Sequence, residues 1–140
     1  MKALSIMQPW AWFVAEGFKP VENRDWSPRN PALRFRGPFL IHTGLKADGN
    51  AFGPESMQWM AKLIAPAKLP EGKVFKFGGI IGYGEIVDVV TYHRSPWFFG
   101  PIGLVIKNAK PLPFFPCKGR LGFFDVDYPF PDLIKGGKNV

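Results

Sequence analysis

Apolar positions along the chain fall into short blocks closed by glycine or proline, and the period inside each block predicts its element. Lys2 to Ile6 reads as a first strand. In Gln8 to Glu16, Trp10, Phe13 and Val14 follow the i, i+3, i+4 spacing of a helix, with Pro9 at its first position, where a missing N–H costs nothing. Trp12 and the alanines make the other side of that helix apolar too, which predicts burial around most of its girth. Gly17 and Pro20 stop it, so the following residues form a turn that enters a strand. Ser27 to Pro31 reads as loop. Phe39 to Thr43 is an apolar run that predicts a strand buried on both faces. Pro54 to Ala65 is a second helix opened by proline, with Met57, Met60, Ala61 and Ile64 on one face as core filler. Loops are expected at residues 48–54 and 66–72.

The longest strand signal runs from Gly79 to Tyr92, where Gly82 and Gly84 on one side suggest a bulge, a bend or a close backbone approach. Glu85 shares the parity of Ile81, Tyr83, Val87 and Val89. With no bulge it points inward and needs a cation, for which Lys19 and Arg24 are the natural partners; a single bulge would put Asp88 inside instead. Ser95 to Pro101 is an aromatic loop, Ile102 to Ile106 a strand, Lys107 to Pro116 a basic proline-rich segment, and Lys118 to Val126 a turn and a last strand. Two helices and at least five short strands predict an α+β domain, a small closed β-barrel of five to six strands with two flanking helices.

Length and composition narrow the class. At 140 residues, with 46% hydrophobic and 16% aromatic residues, the chain suits a single domain (1–140) with its own core, and disorder is excluded. No apolar run approaches the ~18 to 20 residues of a membrane span. The apolar N-terminal stretch is interrupted by Gln8-Pro9 and lacks a small-residue cleavage site. It is not read as a signal peptide, and a cytoplasmic location is the expectation. The single cysteine, Cys117, cannot form an internal disulfide, and His42 and His93 offer few ligands for zinc, so no metal site is expected.

Charge changes the picture more. The formal net charge is +7, and the excess is clustered: four arginines against Asp25 alone between Arg24 and Arg36, and four cations with no acid between Lys107 and Arg120. Two such segments can attract a polyanion, nucleic acid first among them, or serve solubility alone. The candidate chemistry concentrates in residues 17–26, where Lys19, Glu22 and Arg24 surround an amide, Asn23, and an indole, Trp26. On an extended segment Glu22 and Arg24 share one face. This is either a small polar site or an exposed ion-pair cluster. Trp10 and Trp12 are either core residues or a stacking surface for a base. His42, Thr43 and Lys46 stand at a strand end; His42 reads as a satisfied structural residue or a catalyst, with Thr43 and Lys46 better placed to touch a ligand.

Leu4-Ser5-Ile6-Met7-Gln8-Pro9-Trp10-Ala11, Gly17-Phe18-Lys19-Pro20-Val21-Glu22-Asn23-Arg24-Asp25-Trp26 and Arg36-Gly37-Pro38-Phe39-Leu40-Ile41-His42-Thr43 together resemble the ASCH domain, the activating-signal-cointegrator homology family. Ile81 to Gly84, Trp97 to Gly103 and Lys118 to Gly122 are similar to the rest of its pattern, so the resemblance spans nearly the whole chain. It implies a PUA-like β-barrel and a charged cleft beside the Gly-x-Lys-x-x-Glu-Asn-Arg string that binds RNA or a nucleotide. One branch of the family removes the acyl group of N4-acetylcytidine with a lysine, a threonine three residues later and a downstream glutamate. Lys19 matches the lysine, but position 22 is Glu, which cannot supply an alkoxide nucleophile. Another branch consists of ribonucleases.

The leading expectation is a basic cleft for RNA or a modified nucleotide. Lys19, Arg24 and Lys46 would hold phosphate, Glu22 an exocyclic amine, and Trp10 or Trp26 a base face. Gln8, Arg36, Thr43, Lys118 and Arg120 complete the expected contact set. The alternative is a hydrolase on the same site, with Lys19 and Glu22 as the electrostatic and acid-base pair, Glu85 as a further carboxylate, and Mg²⁺ an option for a nuclease. No other cofactor is expected. A third reading makes Trp97-Phe98-Phe99 the anchor of a protein-interaction surface.

Overall fold

The computed structural model describes residues 1–71 and 74–135, so Gly72, the end of the second expected loop, lies outside the described residues. The elements in chain order are β1 (Lys2–Ser5), α1 (Trp10–Ala15), β2 (Val21–Arg24), a 3₁₀ turn (Pro31–Arg34), β3 (Gly37–Thr43), α2 (Pro54–Ile64), β4 (Gly79–Val90), β5 (Ile102–Pro116), β6 (Phe123–Asp125) and α3 (Pro131–Lys135). The architecture is α+β. The strands form one six-stranded sheet in the order β2-β5-β4-β3-β1-β6. β1 and β3 run parallel and every other pair is antiparallel. Among the described residues the sheet does not close into the expected barrel: β2 and β6 stand at its two ends and do not pair.

Burial follows the sequence pattern where the pattern was strong. Phe39, Leu40 and Ile41 of β3 are all fully buried, Phe39 and Ile41 facing one core cluster and Leu40 another, as a two-faced apolar run requires. α1 packs on the first of these faces through Ala11, Val14 and Ala15, while Phe13 points into a third cluster with Met60 and Ile64 of α2. Met57 and Trp59 of α2 pack against that cluster from its edge. The close seating of α1 depends on Gly82: a Cβ there would lie 2.8 Å from the Ala15 Cβ and 2.9 Å from the Lys110 carbonyl oxygen. A side chain at Gly82 would push the helix off the sheet.

Two expectations change. The proline-rich segment after Ile106 is the second half of β5, a 15-residue strand. β2 pairs only with Ile102 to Val105, so beyond that point one edge of β5 has no strand neighbour among the described residues, and such an edge accepts Pro111, Pro113 and Pro116. Between β4 and β5 the register shifts three times, at Ile80/Gly82, Tyr83/Glu85 and Ile86/Asp88, and Asn108 adopts a φ of 54° beside the second shift. These bulges cancel the parity argument. Asp88 is exposed, 3.9 Å from Arg36, and Glu85 is half-buried without Lys19 or Arg24 as partner. α3, led by Pro131 and Asp132, was not read from the sequence. No helix among the described residues is long and apolar enough to cross a membrane.

Candidate functional site

The short chain between α1 and β2 sets the site. Gly17 turns with a φ of 84°, and the backbone N–H groups of Phe18 and Lys19 both donate to the Phe13 carbonyl, which folds Lys19 back under the helix. Its side chain is 2% exposed, and its Nζ donates to the Val21 carbonyl (2.7 Å) and to Glu22 Oε1 (3.0 Å). Glu22 and Arg24 lie on one face of β2, as the strand period predicted. Glu22 Oε2 is 3.4 Å from Arg24 Nε, and Arg24 Nη2 donates to the Ser5 carbonyl (2.6 Å). Arg24 Nε is buried and makes no hydrogen bond among the described residues. Lys19 has a third N–H with no partner among the described residues. The Trp10 ring lies 5.7 Å from Lys19 Nζ, and the Trp26 ring 5.2 Å from the Arg24 guanidinium carbon.

These groups converge on a concave cavity of about 400 Å³ whose walls include Ser5, Trp10, Lys19, Glu22, Asn23, Arg24, Asp25, Asp48 and Phe99. Asn23 builds one wall. Its amide donates to the Trp97 carbonyl (3.0 Å) and its oxygen accepts from the backbone N–H groups of Phe99 (2.7 Å) and Gly100 (3.0 Å), which fixes the aromatic loop against β2. Trp97 is thereby 4% exposed and packs edge-on to Trp10 and Trp59, so it cannot anchor a partner. Phe99, at 59% exposure, is the open aromatic face. Asp48 accepts from Trp10 Nε1 (2.9 Å) and holds the indole in the wall. The lining carries three carboxylates, Glu22, Asp25 and Asp48, against two cations. The cavity beside the string is therefore not basic, contrary to the expectation.

The expected basic residues stand next door. Lys46, Lys118 and Arg120 line a second cavity of about 680 Å³, together with His42, Cys117, Gly119 and, again, Ser5. Among the described residues no carboxylate lines it. His42 is fully buried with both ring nitrogens engaged: Nε2 faces the Cys117 carbonyl (2.8 Å) and Nδ1 the Ser5 hydroxyl (2.7 Å). A carbonyl only accepts, so Nε2 carries the proton, and in the neutral ring Nδ1 accepts from Ser5. His42 is the satisfied structural residue of the two alternatives. Burial pushes the Cys117 thiol up, opposed in part by a hydrogen bond from the Ile80 backbone.

Four residues expected at the site lie elsewhere. Gln8 is buried with both ends of its amide spent, donating to the Lys76 carbonyl (3.1 Å) and accepting from the Trp12 N–H (2.9 Å). Thr43 is buried and donates to the Lys76 carbonyl (3.0 Å). Arg36 is exposed and donates to the carbonyls of Leu33 and Phe35. Trp26 lines neither cavity and stacks on Arg24 from behind. Glu85 also stands apart, accepting from the Tyr83 hydroxyl (2.7 Å) and the Asn108 amide (2.9 Å). Burial, and then the hydrogen bond and charge of Glu85, push the Tyr83 hydroxyl well above the usual phenol range. Ser5, Asn23, Asp25, Asp48 and Phe99 are wall residues outside the expected contact set. Ser5, Asn23 and Asp25 stood inside the quoted strings and Phe99 inside the aromatic loop read as a protein anchor; Asp48 carried no local signal. Among the described residues no group of three or more His, Cys, Asp or Glu could hold a metal ion. No family model matches the chain, and no curated protein matches it.

Proposed function

We propose that the protein is an ASCH-type domain on a PUA-like framework that binds RNA or a modified nucleotide in the cytoplasm, seating one base in the first cavity. The observation that carries this reading is the convergence of Lys19, Glu22 and Arg24 on a concave cavity of about 400 Å³ walled by Trp10 and the exposed Phe99. That volume lies within the range of small-molecule sites. An aromatic face, the remaining N–H of Lys19, and the acceptors of Glu22, Asp25 and Asp48 match a nucleobase, which offers a π-face, carbonyl and ring-nitrogen acceptors and exocyclic amines.

Binding is favoured over hydrolysis by the state of Glu22. One of its oxygens accepts from Lys19 and the other faces Arg24, so the pair expected to share acid-base work is spent on holding itself together. Titration of the full chain with labelled single-stranded RNA by anisotropy, and with nucleosides by tryptophan fluorescence, tests the reading. Saturable binding at low salt, weakened by Phe99→Ala, is expected. No binding of either ligand at low salt would remove it, and product released from RNA or N4-acetylcytidine, but not by Lys19→Met, would replace it with a hydrolase on the same site.

A further inference from the structure

The two cavities divide the charge of this face. Among the described residues, the first has three carboxylates and two cations in its lining; the second has Lys46, Lys118 and Arg120 and no carboxylate. Ser5 belongs to both walls, so the two cavities adjoin across one residue. A free nucleoside needs only the first. A mononucleotide brings a single phosphate to the second, whereas the three cations there match the successive phosphodiesters of a strand.

We propose that the second cavity is a phosphodiester track, and that the ligand is therefore a single-stranded polynucleotide whose base enters the first cavity while the adjoining backbone lies over Lys46, Lys118 and Arg120. This rests on the nucleobase reading of the first cavity. The track is held rigidly at its base. A Cβ on Gly119 would lie 2.6 Å from His42 Cε1 and 2.9 Å from the Ser5 hydroxyl oxygen, so only glycine lets the 118–120 backbone press onto that pair. The same histidine holds the Cys117 carbonyl, and the Cys117 N–H donates to Gly78 (3.1 Å). Lys118 and Arg120 thus project from a backbone fixed against the wall of the base cavity, and their own side chains are exposed and free to meet phosphate. Leu45 and Leu121, at 86% and 100% exposure, add apolar contact on the rim for flanking sugars or bases. An acidic peptide would satisfy the cations but would leave the aromatic cavity beside them without an occupant.

The test compares a labelled pentaribonucleotide with the corresponding nucleoside on the full-length wild type and on Lys46→Ala/Lys118→Ala/Arg120→Ala, whose altered side chains are exposed. The pentanucleotide should lose affinity on the order of a hundredfold at 50 mM salt, with the log-log salt slope falling by about 2, since each single-strand phosphate contact contributes about 0.7. Nucleoside binding should not change. Cys117, the chain's only cysteine, lines the track and reports on it: iodoacetamide labelling should be slowed by the pentanucleotide and not by the nucleoside. Unchanged pentanucleotide affinity and slope in the triple variant, with nucleoside still bound, would overturn the track and leave the base site standing. Failure of both ligands on the wild type would remove the base site and the track with it, and binding of poly-glutamate in place of RNA would overturn both.

Discussion

Replacing Glu22 by Gln removes one charge from a network that is largely shielded from water. Lys19 is 2% exposed and the Glu22 side chain 10%, so solvent cannot rescue the ammonium once its carboxylate is gone. What remains around Nζ is the Val21 carbonyl at 2.7 Å, the glutamine oxygen and the face of Trp10 at 5.7 Å. Breaking a buried pair by removing one partner costs about 3–5 kcal/mol, and the retained amide oxygen puts Glu22→Gln at the lower end, about 3 kcal/mol. For a chain of this length that lowers Tm by roughly 10 °C, or the urea midpoint by about 1.5 M at an m-value near 2 kcal/mol/M. Lys19→Met should cost less, because Arg24 still faces Glu22 at 3.4 Å. In Lys19→Met/Glu22→Gln both charges leave together, and the double variant should be more stable than the sum of the singles by at least about 1 kcal/mol. Tryptophan fluorescence under urea measures all three. Additive singles, or a Glu22→Gln cost below about 0.5 kcal/mol, would refute the buried coupling and with it the preformed site.

Phe99→Ala should leave Tm nearly unchanged, since the ring is 59% exposed, yet weaken base binding by about 1–3 kcal/mol, read by titration. Trp97→Ala should do the reverse, costing about 3–5 kcal/mol of stability in urea melts, because its ring fills the cluster of Phe13 and Trp59. Gly119→Ala should cost about 1–3 kcal/mol by forcing the turn off His42 and Ser5, measured by urea unfolding. The Tyr83 phenol is favoured in its protonated form by the fold, so its contribution is complete below its ordinary value of 10.0 and is lost as pH rises above that, where the unfolded chain ionises first. Stability against pH should fall on the alkaline side, less steeply in Tyr83→Phe, with tyrosinate absorbance lagging until the protein unfolds.

The legible elements were those whose signal is local. α1, β3 and α2 announced themselves by a helical or two-faced apolar period with proline at the helix starts, and each is found within about two residues of its expected bounds. β4 and β5 were harder because their partners decide their shape. Three register shifts between them detach side-chain parity from sequence parity, so the inward pairing of Glu85 with Lys19 or Arg24 could not survive. Pro111, Pro113 and Pro116 read as breakers, since nothing in the sequence says that one edge of their strand lacks a neighbour.

The site divides along the same line. Lys19, Glu22 and Arg24 could be placed together because the six residues from 19 to 24, a turn and a strand, fix their relation, whereas the wall that encloses them comes from Phe99, whose backbone N–H donates to the Asn23 side-chain oxygen 76 residues away in the chain. Charge shows the limit most sharply. A net +7 with two cationic runs merges, in the sequence, into one basic cleft; in the fold, Asp25 and Asp48 join Glu22 around the first cavity, while Lys46, Lys118 and Arg120 gather around the second. Coulomb attraction for an anion is then greatest beside the first cavity and weaker in it; on the reading proposed above, that would penalise a phosphate entering the wrong chamber and would orient a strand before its base is tested. Orientation of that kind is a property of where side chains of distant segments meet, and total charge carries no trace of it.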